Sequence, residues 1–325
     1  MLLKYWPEKT TAGFMNKRIP AFIMSGILIV ASIFLVSTRS LNFGIDFIGG
    51  SVIEFEQPQG VTDADVRALV EPMGFGEVGV NSASGTGLDP KPVFVVRIKT
   101  QGANETMDAE EAQQAATDRL VQAVVDEGWL ASKADLAFRD TVGPKVSGEL
   151  LRSGITALVV ALALMLCYIW FRFEWQYSVG AVAALAHDVI LTIGLFSMLQ
   201  LEFNLSTIAA LLTIIGYSMN DTVVVFDRVR EELRKYKKMP LDEVIDLALN
   251  GTLSRTLITS GTTLLALLAI FFLGGSVLRG MSAALLWGVV IGTYSSIFVA
   301  SSIVRTIGVP RSKKSLEDVP GFGAT

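Results

Sequence analysis

The chain has 325 residues, 51% of them hydrophobic and 18% charged, with a formal net charge of −4. A mean hydropathy of +0.51 at this length excludes an ordinary soluble enzyme, because the apolar residues are bunched into runs. One cysteine, one histidine and no phosphate-cradling glycine loop leave no disulfide framework, no Cys/His metal site and no ATP site to be read from this chain.

Six windows are apolar over the roughly 17 to 25 residues a tilted helix needs to cross a bilayer: 20–38, 153–171, 178–199, 204–226, 256–273 and 280–304. The first is too long for the apolar core of a cleaved signal and no small-residue cleavage site follows it. Between the first two, helical and alternating patterns take turns. Strands are expected over 51–55, 77–81, 93–99 and 135–142, and helices over 62–73, with Thr62 and Asp65 as a capping box, and 108–127. A Gly/Ser/Pro-rich hairpin loop covers 82–92. The order βαββαβ predicts a ferredoxin-like domain, an antiparallel sheet with two helices on one face. Its other face is a docking surface, unless the domain is only a spacer or lid. The fold class expected is therefore a polytopic α-helical membrane protein with six transmembrane helices and a ferredoxin-like βαββαβ extracytoplasmic domain.

Orientation follows from the basic residues beside the spans. With the N-terminus inside, the inner segments carry sixteen Lys or Arg, among them Lys4, Lys9, Arg172, Arg228, Arg255, Arg305, Arg311, Lys313 and Lys314, against Arg279 alone in the short outer loops. Residues 1–19 and 305–325 are then cytoplasmic and 39–152 faces outward. That outer segment holds ten basic and eighteen acidic residues, which argues against nucleic acid as a partner. The segment 228–255 is charged and then amphipathic, with Leu241, Val244, Ile245 and Leu249 on one face, and reads as an interfacial helix or a filler of a partner's groove.

Within the spans, Asp188 follows His187 near the middle of the third and Asp221 follows Asn220 in the inner half of the fourth. An intramembrane carboxylate costs about 2.5 to 3.5 kcal/mol on insertion scales and is a functional candidate by default. Arg255 opens the fifth span at a depth close to Asp221, so the two form a natural pair. Burial penalises the charged carboxylate and the guanidinium favours it, so separating and restoring the pair would load and release a proton. A fixed interhelical tie is the alternative for both acids, a snorkelling anchor for Arg255, and a structural hydrogen bond for His187. Glycines and alanines at 180, 183, 184, 261, 288 and 292 allow close helix approach. Cys167 reads as a small core hydrophobe, and residues 227–232 as a solvated, charge-paired helix extension.

Five blocks in order carry a resemblance: residues 43–50, reading Phe-Gly-Ile-Asp-Phe-Ile-Gly-Gly; Val142, Gly143 and Pro144; His187, Asp188 and Val189; 215–232 with Asn220 and Asp221; and 254–275 from Ser254, Arg255 and Thr256. Together they resemble the SecF family, subunits of the bacterial SecDF protein-translocation accessory complex in the RND superfamily. Ile48 stands where that family commonly has Thr, and Met281 where Phe is frequent. The six spans and the end at Thr325 look like the free-standing form and not the fused one. The resemblance implies one six-span half of a pseudo-symmetric unit in the bacterial inner membrane, with SecD as the other half. It further implies association with the SecYEG channel and YajC, use of the proton-motive force to draw out an unfolded preprotein, and no cofactor. Asp221, Arg255, Asp188 and Asn220 are then expected on the proton pathway, with His187 and Asp46 in support. A half-size small-molecule exporter and a non-transporting scaffold are the competing readings.

Overall fold

The computed structural model describes residues 10–84, 91–102 and 108–309. Lys4, Lys9, most of the 82–92 loop and Arg311, Lys313 and Lys314 lie outside the described residues.

Six helices are long and apolar enough to cross a membrane. The first five are Arg18–Arg39, Pro144–Arg172, Trp175–Leu199, Leu205–Lys235 and Leu241–Leu273. The sixth runs as an α-helix over Gly275–Ser295, a π-helical stretch over Ser296–Ala300 and a last α-turn over Ser301–Ile307. The third, fourth and sixth form the centre of the bundle, with 61%, 56% and 56% of their most apolar windows buried, against 11% in each of the others. Small residues make this closeness possible: Gly288 lies against Ile214, Gly292 against Ser218, and Gly180 against the Ala300 carbonyl and the Phe226 ring. Around them Tyr177, Ile169, Phe226 and Ala300 are almost fully buried.

The helices outrun the apolar windows because their ends are charged and paired. On the fourth, Arg228 binds Glu231 at 2.7 Å and Glu232 at 2.8 Å, and Lys235 binds Glu231 at 2.6 Å. The fifth departs further from expectation. No separate interfacial helix exists, since Leu241 begins a helix that continues unbroken to Leu273. Its apolar face turns inward: Val244 is fully buried, and Ile245 and Leu249 belong to the main core cluster. At that end Asp242 holds Arg18 of the first helix and Arg305 of the sixth, while Asp246 accepts from Met15 N–H and Asn250 exchanges two hydrogen bonds with Ala12. Cys167 also differs, being exposed. The second helix touches the bundle along one stripe, through Gly154, Leu158, Leu162 and Ile169, and Cys167 falls off it.

The domain between the first two spans has the expected βαββαβ order. Its strands are Gly50–Glu56, Val78–Ser84, Pro92–Ile98 and Phe138–Val142, all antiparallel, in spatial order second, third, first, fourth. Thr62 and Asp65 form the capping box on Asp63–Val70, and Asp108 caps Ala109–Asp126. These helices cover Ile53, Phe55, Phe94 and Val96 with Val66, Val70, Leu120 and Val124. Beneath them Gln113 donates to Ser51 at 2.8 Å, and Ser51 and Thr117 share a 2.6 Å hydrogen bond.

The opposite sheet face is not the open surface expected. Val52, Val95 and Val142 pack against Ile45 and Leu150, which belong to the membrane end of the molecule. The junction is built by residues 43–50. Asn42–Phe43 pairs in parallel with Glu202–Phe203, and Asp46 accepts a 2.7 Å hydrogen bond from Leu205 N–H at the start of the fourth span. Gly49 and Gly50 then turn the chain into the sheet with φ of +73° and +128°. A Cβ on Gly50 would clash with the Ile98 carbonyl oxygen, so no other residue fits. Arg97 of the third strand forms an ion pair with Glu202 across the joint.

Candidate functional site

The third, fourth and sixth helices turn polar side chains inward, where each that is kept from water calls for a partner. Asp188 is 1% exposed and fully engaged. Its Oδ2 accepts from Ser218 of the fourth helix at 2.6 Å and Ser295 of the sixth at 2.8 Å, and its Oδ1 lies 3.0 Å from His187 Nδ1. His187 therefore meets its own neighbour, although successive helical residues diverge by about 100°. Its ring sits 6.0 Å from that of Tyr294, whose hydroxyl donates to the Ala21 carbonyl of the first helix. One carboxylate thus ties three helices, and through His187 reaches a fourth.

A second thread runs beside it. Thr222 and Ser296 are joined at 3.0 Å where the π-helical stretch begins. Tyr217 donates to Ser260 of the fifth helix at 3.2 Å, and Ser260 meets Thr293 at 2.8 Å. Ser218, Ser295, Thr222 and Thr293 were not singled out by sequence reading; alone, each hydroxyl in a span is an unremarkable helix-packing residue. The helical register of 188, 218 and 295 on facing elements is the only signal, and it needs the packing to be seen.

Asp221 contrasts with Asp188. It is 4% exposed, yet its Oδ2 has no hydrogen-bond partner. Arg255 lies close enough for its field to reach Asp221, but among the described residues no ion pair within 4.0 Å joins them, and Arg255 itself is exposed. The expected direct pair is thus not formed. Asn220, the residue before Asp221 on the fourth helix, is exposed. Asp46 caps the fourth helix far from this seam. No cluster of His, Cys, Asp and Glu among the described residues could hold a metal ion.

Chemically, the seam holds one carboxylate satisfied by three side chains and one with an unpartnered oxygen. These acids lie in a six-helix membrane bundle joined through a paired-glycine turn to a ferredoxin-like domain. The family model described as SecD/SecF C-terminal export membrane protein matches residues 129–309, and the SecD/SecF GG motif matches 34–56, the turn through Gly49 and Gly50. The protein translocase subunit SecF of Cereibacter sphaeroides is 46% identical, covering 95% of this chain and 93% of its own length. SecF of Vibrio alginolyticus is 41% identical over 97% and 95%. The crystal structure of SecDF from Thermus thermophilus, described as a translocon-associated membrane protein, superposes with a TM-score of 0.78 at 36% identity, covering 93% of this chain. The chain spans 39% of that longer SecDF chain. It belongs to the SecF family of protein translocase subunits.

Proposed function

We propose that this chain is the SecF half of a SecD–SecF unit that uses the proton-motive force to complete export of unfolded preproteins through the SecYEG channel, with YajC as an associated subunit. The observation that carries the reading is Asp221: a carboxylate buried at the centre of a membrane span whose Oδ2 has no partner. Fixed structural acids are satisfied within the protein, as Asp188 is, whereas a buried acid with an oxygen left without a protein partner is a functional candidate.

Several observations support the rest. The basic residues favour an inner-membrane placement with the domain outside and both termini in the cytoplasm. The first described residues and the end of the sixth span meet at one end of the bundle, where Arg18 and Arg305 share Asp242. Asn220 on the fourth helix and Arg255 on the fifth lie exposed, where an isolated bundle would press an amide and a charge into lipid; a second six-span half, SecD, would cover them. One charge moved across about 150 mV yields roughly 3.5 kcal/mol, so many cycles are required to draw out a long chain.

Asp221→Asn, in membranes that retain the assembled complex, abolishes proton-motive-force-dependent export while leaving assembly intact. Unchanged export in that variant overturns the proposal. The scaffold reading draws on the fully partnered Asp188. It predicts that exchanging the pair, Asp221→Arg with Arg255→Asp, restores function, and a proton carrier does not survive that exchange.

A further inference from the structure

The fourth and fifth helices are antiparallel neighbours whose register is fixed by two contacts. Tyr217 donates to Ser260, and Gly251 packs against the Arg228 guanidinium. Between these points, one turn from Tyr217 and one turn from Ser260, the register sets Asp221 opposite Thr256. Thr256 is 2% exposed, and its Oγ1, like Asp221 Oδ2, is buried without a hydrogen-bond partner. The other threonines of this helix, Thr252, Thr259, Thr262 and Thr263, all donate to carbonyls three or four residues back. Thr256 alone among them does not. Two orphaned polar atoms facing each other across one helix interface are the pattern of a bridging water, which takes two to four polar partners.

We propose that Asp221 and Thr256 hold a water molecule between them, and that Thr256 is the positioning residue through which Asp221 exchanges its proton. The water takes the carboxyl proton from Asp221 as it passes one of its own to the next water in the seam, and reloading runs the same step backwards. The Thr256 hydroxyl orients the water and gains or loses no proton overall. The charged and titratable groups around this point are Arg255 on the fifth helix, Tyr217, Asp227 and Arg228 on the fourth, Asp188 with His187 on the third behind Ser218, and Tyr294 on the sixth. None supplies a hydrogen bond to Asp221 Oδ2, which leaves the hydroxyl as the group that sets the water.

The inference rests on the reading of Asp221 as proton carrier, and the test separates the two. Thr256→Val keeps the shape and removes the hydroxyl; Thr256→Ser keeps the hydroxyl. Export by the assembled complex in membrane vesicles is measured with and without a proton-motive force, beside Asp221→Asn. The proton-driven component falls about tenfold in Thr256→Val, the scale of one lost hydrogen bond to a charged group, and returns in Thr256→Ser, while export without the gradient is unchanged in both. The infrared carbonyl band of protonated Asp221 shifts in the Val variant and not in the Ser variant, a change that a packing role would not produce. Wild-type export and an unshifted band in Thr256→Val, with Asp221→Asn inactive, overturn this inference alone. An active Asp221→Asn overturns the underlying reading.

Discussion

Two acids buried at similar depth in one bundle have opposite surroundings, and the difference decides what each can do. Asp188 receives Ser218, Ser295 and His187 and holds the third, fourth and sixth helices in register. Removing either hydroxyl, in Ser218→Ala or Ser295→Ala, is expected to cost about 1 to 2 kcal/mol in detergent unfolding, the range for interhelical hydrogen bonds in membranes. Sequence patterning located both acids because a carboxylate in an apolar window stands out on its own. It favoured Asp221 over Asp188 as the functional acid but could not show their partners, since satisfaction depends on hydroxyls thirty and a hundred residues away. A simpler acid in the outer domain shows what local sequence does reveal. The Thr62 hydroxyl and N–H hold Asp65 below its ordinary value of 3.8. A depressed carboxyl contributes its stability above that ordinary value and loses it as the pH falls through the folded-state value. Thr62→Val therefore lowers the thermal stability of the domain at neutral pH, and the difference narrows on acidification below 3.8.

At the level of whole elements, the six spans and the βαββαβ order were legible because period and length are local properties of the chain. What covers each apolar face was not. Val244, Ile245 and Leu249 make an amphipathic stripe that suits a membrane surface as well as a protein core, and only the packing shows it turned into the bundle. The same holds for Cys167, whose apolar neighbours gave no sign of which side faces out. The domain sheet misled for the same reason: Val52, Val95 and Val142 look like a free face until the residues around Ile45 and Leu150 close over them. Small residues are better guides where they sit at crossings. Gly292→Val drives a side chain into Ser218 and separates the sixth helix from the fourth, costing about 1 to 3 kcal/mol as overpacking does. The same change at Gly261, where a Cβ meets nothing within 4 Å, has little effect on unfolding in detergent.

Across the whole molecule, any force passing between the membrane bundle and the outer domain would cross the joint built by residues 43–50 and the start of the second span. The paired-glycine turn, the Asn42–Phe43 ladder, the Asp46 cap and the Arg97–Glu202 ion pair are the connections. A double-mutant cycle on Arg97→Ala and Glu202→Ala is expected to give a coupling of about 1 kcal/mol or less, since both side chains are partly exposed. Gly50→Ala is expected to disrupt the joint outright, read as faster proteolysis between the first span and the sheet.

The central claim is that Asp221 takes up and gives back a proton during work. Isotope-edited infrared difference spectroscopy on the assembled complex, comparing membranes with and without a proton-motive force, observes this group directly. A protonated-carboxyl band that appears and disappears with the gradient, and is missing in Asp221→Asn, is the predicted result; a carboxyl band unchanged by the gradient while export proceeds would contradict the account.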